Sequence, residues 1–155
     1  MPTRYVRRTN RAYWPALPPE QLTDDSLRKA VAEFTADLPL SVWAYDDNDA
    51  ESFDLACLGI MAAAQSGDLE YVEILESDLA ELGIQVEVSE GLTPIERAKA
   101  LHRDLVIAEE QVLHLARRIA TRCRVVPKRK KAELKRLAST SALNALVPPG
   151  SWLLR

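Results

Sequence analysis

"TPIERAKALHRDLVIAEEQVLHLARRIATRCRVV", residues 93–126, is the stretch on which the fold turns. Thr93 stands at an N-cap position, Pro94 at the first helical position and Glu96 three residues on, the pattern of a capping box. No glycine or second proline interrupts the run before Pro127, so the spacing predicts one helix over 94–126, roughly 50 Å long. Ala98, Leu105, Val112, Ile119 and Val126 recur every seven residues, with Leu101, Ala108 and Leu115 at the intermediate position of a heptad seam. Val106, Leu113, Ala116, Ala120 and Cys123 widen the apolar arc to about 160°, more than a two-stranded coiled coil uses, so packing within the chain is favoured. The expected fold is mainly α: a helical bundle around this long helix, with a small two-stranded β element.

Outward from the spine, "VPP" at 147–149 stops a last helix expected over 130–146, and "SWLLR" at the C-terminus is expected to tuck Trp152, Leu153 and Leu154 into the body. On the other side, "IQVEVS" (84–89) alternates as a strand does, and "LSVWAYD" (40–46) is rich in β-branched and aromatic residues. These two are the expected β element. Between them, "FDLACLGIMAAAQSG" and "DLEYVEILESDLAELG" read as a helical hairpin whose members end at Gly67 and Gly83. A further helix is expected over 26–37, capped by Thr23 or Asp24 and stopped by Pro39. Pro15, Pro18 and Pro19 set off residues 1–20 as an N-terminal arm from a single helical domain, 21–155.

With 155 residues the chain suits one domain, and no apolar run reaches the roughly 18 residues of a membrane helix. No h-region follows the basic N-terminus, so a cytoplasmic setting without membrane contact is expected. Cys57 and Cys123 stand in apolar surroundings and read as buried, reduced thiols. The net charge of −3 conceals a polarity. Residues 4–11 hold four arginines and no acid, residues 12–90 carry a balance of −16, and residues 91–155 carry +9.

Nothing in the sequence carries a catalytic signature. His102 and His114 are twelve apart and project in different directions from the expected helix, Glu110 and His114 form an ordinary surface pair, and the glycines provide no phosphate cradle. The acids at 46–54 lack the glycine and terminal glutamate of a calcium loop. A non-enzymatic protein without cofactor or metal is expected.

Two function classes remain. "VVPKRKKAELKRL" (125–137) crowds cations at a helix start, where the helix dipole disfavours them, and a partner polyanion would offset that cost. The first reading is therefore a nucleic-acid-associated protein, binding phosphate through Arg117, Arg118, Arg124, Lys128, Arg129, Lys130, Lys131, Lys135 and Arg136. The arm would assist with Arg4, Arg7, Arg8 and Arg11, interleaved with Tyr5, Tyr13 and Trp14. The competing account of the same cations is pairing with the chain's own acids. The second reading is a protein-interaction or inhibitor module of the phage or mobile-element accessory type. In it Asp46, Asp47, Asp49, Glu70, Glu73, Asp78 and Glu81 would occupy a basic site on a protein partner such as a defence nuclease complex. A basic end and an acidic middle also invite a homodimer, with Trp152, Leu153 and Leu154 as its apolar contribution.

Overall fold

The computed structural model describes residues 3–64 and 67–155. Its strands are β1 (Thr3–Arg8), β2 (Leu40–Asp46), β3 (Leu69–Leu75), β4 (Gln85–Val88), β5 (His102–Val106) and β6 (Lys128–Arg129). Its helices are α1 (Arg28–Ala36), α2 (Ala50–Ala63), α3 (Glu76–Leu82), α4 (Glu96–Lys99), α5 (Glu109–Arg122), α6 (Lys131–Ala138) and α7 (Ser141–Asn144). The strands form one antiparallel six-stranded sheet in the order β4-β5-β2-β1-β3-β6. The fold is therefore α/β, which overturns the expected helical bundle with its two-stranded element.

Two cores line the two faces of this sheet. On one face Tyr5, Leu40, Val42, Ala44, Val72 and Ile74 meet α1, α3 and α5. On the other, Val6, Trp43, Tyr45, Leu69 and Tyr71 meet α2, α4, α6, α7 and the C-terminal turn. Successive side chains point to opposite faces, so a strand covered on both sides must be apolar at both parities. That is why "LSVWAYD" shows only rough alternation.

The long helix does not form. The expected cap does not form either: the Ile95 amide donates to Thr93 Oγ1 at 3.3 Å in a turn before the helix, and α4 is a single turn that begins at Glu96, after Ile95, with no side-chain cap. Residues 102–106 then form β5, paired on one side with β2 and on the other with β4. The heptad positions Leu105, Val112, Ile119 and Val126 all lie in the first core, whereas Ala98 lies in the second, across the sheet. The seven-residue repeat thus runs through a strand and a helix that bury the same face. A start signal for α5 lies in "IAEEQ": the Ala108 amide donates to Gln111 Oε1 at 2.8 Å, and Glu109 and Glu110 occupy the positive first turn.

The expected helical hairpin fails for a similar reason. Residues 69–75 are β3, between β1 and β6, and the helix of that segment begins only at Glu76. Gly83, at φ 70°, ends α3 as expected, because a left-handed residue there lets the Ile84 amide reach the Leu79 carbonyl at 2.9 Å. The preceding helix α2 ends at Ala63, where the Ala64 amide donates to the Met61 carbonyl at 3.1 Å, short of the expected stop at Gly67. Gly59 has a packing role: a Cβ on it would lie 2.6 Å from that of Ala98, so α2 and α4 touch only because the site is bare.

Other expectations hold more closely. β2 has the expected bounds, α1 falls within the expected 26–37, and β4 lies within 84–89, although it pairs with β5 rather than with β2. The final helix is split into α6 and α7. Leu153 is buried, and Trp152 Nε1 donates to the Met61 carbonyl at 2.8 Å, so this end serves the monomer's own core.

The largest displacement from expectation concerns the N-terminus. Residues read as an arm form β1, which pairs with β2 on one side and β3 on the other near the middle of the sheet. Deleting residues 1–9 should therefore abolish the cooperative thermal unfolding transition followed by circular dichroism. Retention of that transition would reject a central β1.

Candidate nucleic-acid interface

The cations expected to contact phosphate divide by what the fold places beside them. In β1, Arg4 lies between the two acidic neighbouring strands and pairs with Asp47 at 3.2 Å and Glu73 at 3.4 Å. Arg7 is buried; it donates to the Ser41 carbonyl at 2.9 Å and to Asp37 at 2.7 Å, with Glu33 at 3.9 Å and its guanidinium over the Phe34 ring. Thr9 donates to Glu33 and accepts from Trp14 Nε1. Burial pushes the Glu33 carboxyl above the ordinary carboxylate range, against the opposing pull of Thr9 and Arg7. Arg11 donates to the Val126 carbonyl at 2.8 Å and lies 3.9 Å from Glu70. Only Arg8 of this group is exposed with no carboxylate within ion-pair distance among the described residues.

The α5 arginines are similarly engaged. Arg117 pairs with Asp24, Arg118 with Asp78 and Glu81, and Arg122 with Asp78. These pairs tie α5 to α3 and to the segment before α1. Asp78 is buried, so its two guanidinium partners offset the desolvation of its carboxylate.

At the other edge, Arg129 pairs with Asp54 at 2.8 Å and Glu133 at 2.7 Å and stacks on Phe53. Lys128 lies 3.8 Å from Asp68, whose other oxygen accepts from the Lys131 amide at 2.7 Å. The Asp68 carboxylate therefore sits at the positive end of α6, which relieves part of the dipole penalty noted for this basic run. Lys131 Nζ lies 6.0 Å over the Trp152 ring. Arg124, Lys130, Lys135 and Arg136 have no ion pair among the described residues.

The acids of the second reading are absorbed by these contacts. Asp47, Glu70, Glu73, Asp78 and Glu81 pair with arginines of the same chain. Asp46 accepts from the Asn48 amide, and Asp49 caps α2 by accepting from the Glu51 amide at 3.1 Å. A cleft of about 240 Å³ beside Trp14 includes Arg4, Glu73, Arg122 and Cys123, but both guanidiniums there already face carboxylates.

Among the described residues no three His, Cys, Asp or Glu side chains are grouped to hold a metal, and no helix is long and apolar enough to cross a membrane. Cys57 is buried and its thiol is pushed up to about 12 by that burial, whereas Cys123 is exposed, contrary to the expectation of two buried thiols. His114 is exposed on α5. His102 is instead a buried residue of β5, edge-on to Trp43, with Nδ1 2.6 Å from Ser89 Oγ. What sequence reasoning missed is the open β4 edge, where Glu87 faces Asp104. The alternation of "IQVEVS" revealed the strand but not its place. Comparison with family models, curated proteins and solved structures finds no match.

Two outcomes follow from this geometry. Asp78→Ala takes the carboxylate from Arg122 and leaves Arg118 only Glu81, and should cost about 3 kcal/mol in urea denaturation, while Glu81→Ala, an exposed pair, should cost under about 1 kcal/mol. Burial lowers the His102 pKa below its ordinary value of about 6.5, so the folded state binds fewer protons than the unfolded one. Its contribution is complete above about pH 6.5 and is lost as pH falls through the depressed folded pKa. The stability difference between wild type and His102→Gln should therefore shrink between about pH 7 and pH 5.

Proposed function

We propose that this chain is a non-enzymatic, nucleic-acid-associated protein of the cytoplasm, whose phosphate contacts come from the α5–β6–α6 edge. The observation that carries this reading is the remainder left after internal pairing. Arg124, Lys130, Lys135 and Arg136 lie on one continuous segment along the β6 edge, without carboxylate partners among the described residues. Lys131 belongs with them, its ammonium over the Trp152 ring and without a carboxylate partner among the described residues. A row of cations at one sheet edge suits a phosphate backbone, and binding of that kind weakens steeply with salt through counterion release. Arg4, Arg7, Arg11, Arg117, Arg118 and Arg129 leave the proposed contact set, because recruiting them would break pairs that hold the fold together.

Fluorescence anisotropy with labelled single-stranded and duplex oligonucleotides tests the reading. Binding is expected at about 50 mM salt and should fall by orders of magnitude at about 200 mM. Lys130→Glu together with Lys135→Glu should weaken it by at least about tenfold, while Arg28→Glu with Lys29→Glu, on exposed positions of α1, should leave it within about twofold. Absence of binding at low salt, or equal effects of the two reversals, rejects it.

A further inference from the structure

We infer that the open β4 edge is a docking site for an extended segment of a partner protein in which apolar and basic residues alternate. β4 is the terminal strand of the sheet, with β5 its only strand neighbour among the described residues. The Ser89 amide donates to the His102 carbonyl, and antiparallel ladders alternate, so the main-chain groups of Ser89, Glu87 and Gln85 face β5. Those of Val86 and Val88 face away from the sheet. Such an edge is a template for one more strand unless it is covered, bulged, closed by proline or guarded by charge; "QVEV" is short and has no proline, and its one charge, Glu87, guards it against acidic strands but not against basic ones.

The side chains specify what that strand should carry. On the α1/α5 face of the sheet, Val88 is 79% exposed, in line with half-buried Val86. An apolar residue in the incoming strand would cover Val88. On the opposite face Glu87 stands directly across from Asp104, two carboxylates on neighbouring strands with no ion pair to either among the described residues. Like charges opposed in this way destabilise a sheet, and a third strand bearing lysine or arginine beside Glu87 would reverse the sign of that interaction. Main-chain pairing would supply affinity, and the alternation of apolar and basic residues would supply selectivity. This surface is at the opposite end of the sheet from the proposed phosphate contacts and goes beyond that reading.

The test uses the full chain and a fluorescein-labelled hexapeptide of alternating valine and lysine, with an alternating valine and glutamate hexapeptide as its counterpart. The lysine peptide should bind and the glutamate peptide should not. Val88→Pro removes an outward amide without touching the β5 ladder, and should weaken binding by at least about tenfold. Glu87→Lys, an exposed substitution that leaves the backbone intact, should reverse the preference between the peptides. No binding of the lysine peptide, or binding unchanged by both substitutions, overturns the proposal. Self-association at low micromolar concentration that Val88→Pro disperses, and with which the lysine peptide does not compete, assigns the edge to a second copy and likewise overturns it. The Lys130 and Lys135 reversals should leave peptide binding unchanged, which separates this surface from the oligonucleotide site.

Discussion

The Arg7 guanidinium, buried near the middle of the sheet, is the interaction on which the rest of the packing depends. Its partners come from separate elements: Asp37, Glu33 and the Phe34 ring from α1 and its end, and the Ser41 carbonyl from β2. Removing both carboxylates would leave the charge of a buried guanidinium uncompensated, where the loss is large. The helix α1, which supplies Glu33 and ends at Asp37, must therefore cover this part of β1, and β1 must lie beside β2. With that settled, β2 and β3 run parallel to one another on either side of β1, and α2 makes the crossover between them on the opposite face.

The charge polarity of the chain acquires a structural meaning from the same arrangement. The basic N-terminus enters the sheet between acidic β2 and β3, and the basic C-terminal half meets acidic α3, β3 and the start of α2. Charges far apart in sequence become neighbours, and most of the imbalance cancels locally. Both ends of the sheet keep uncancelled charge: cations around β6 and α6, and the carboxylates Glu87 and Asp104 with exposed Val88 at β4.

The sequence by itself determined the elements that end on local chemistry. β2 was legible in its aromatic and β-branched run, α1 in its apolar spacing although it starts at Arg28 without the expected Thr23 or Asp24 cap, α3's end in Gly83, and the C-terminal turn in three large apolar residues. Tertiary structure alone decided residues 69–75 and 102–106, where apolar positions satisfy strand and helix periodicities equally and the hydrogen bonds to neighbouring strands make the choice. It also decided which charges are free. An arginine's availability depends on whether a carboxylate some 30 to 95 residues away in sequence is folded against it, as with Arg7 and Asp37 or Arg117 and Asp24, and no local pattern records that distance.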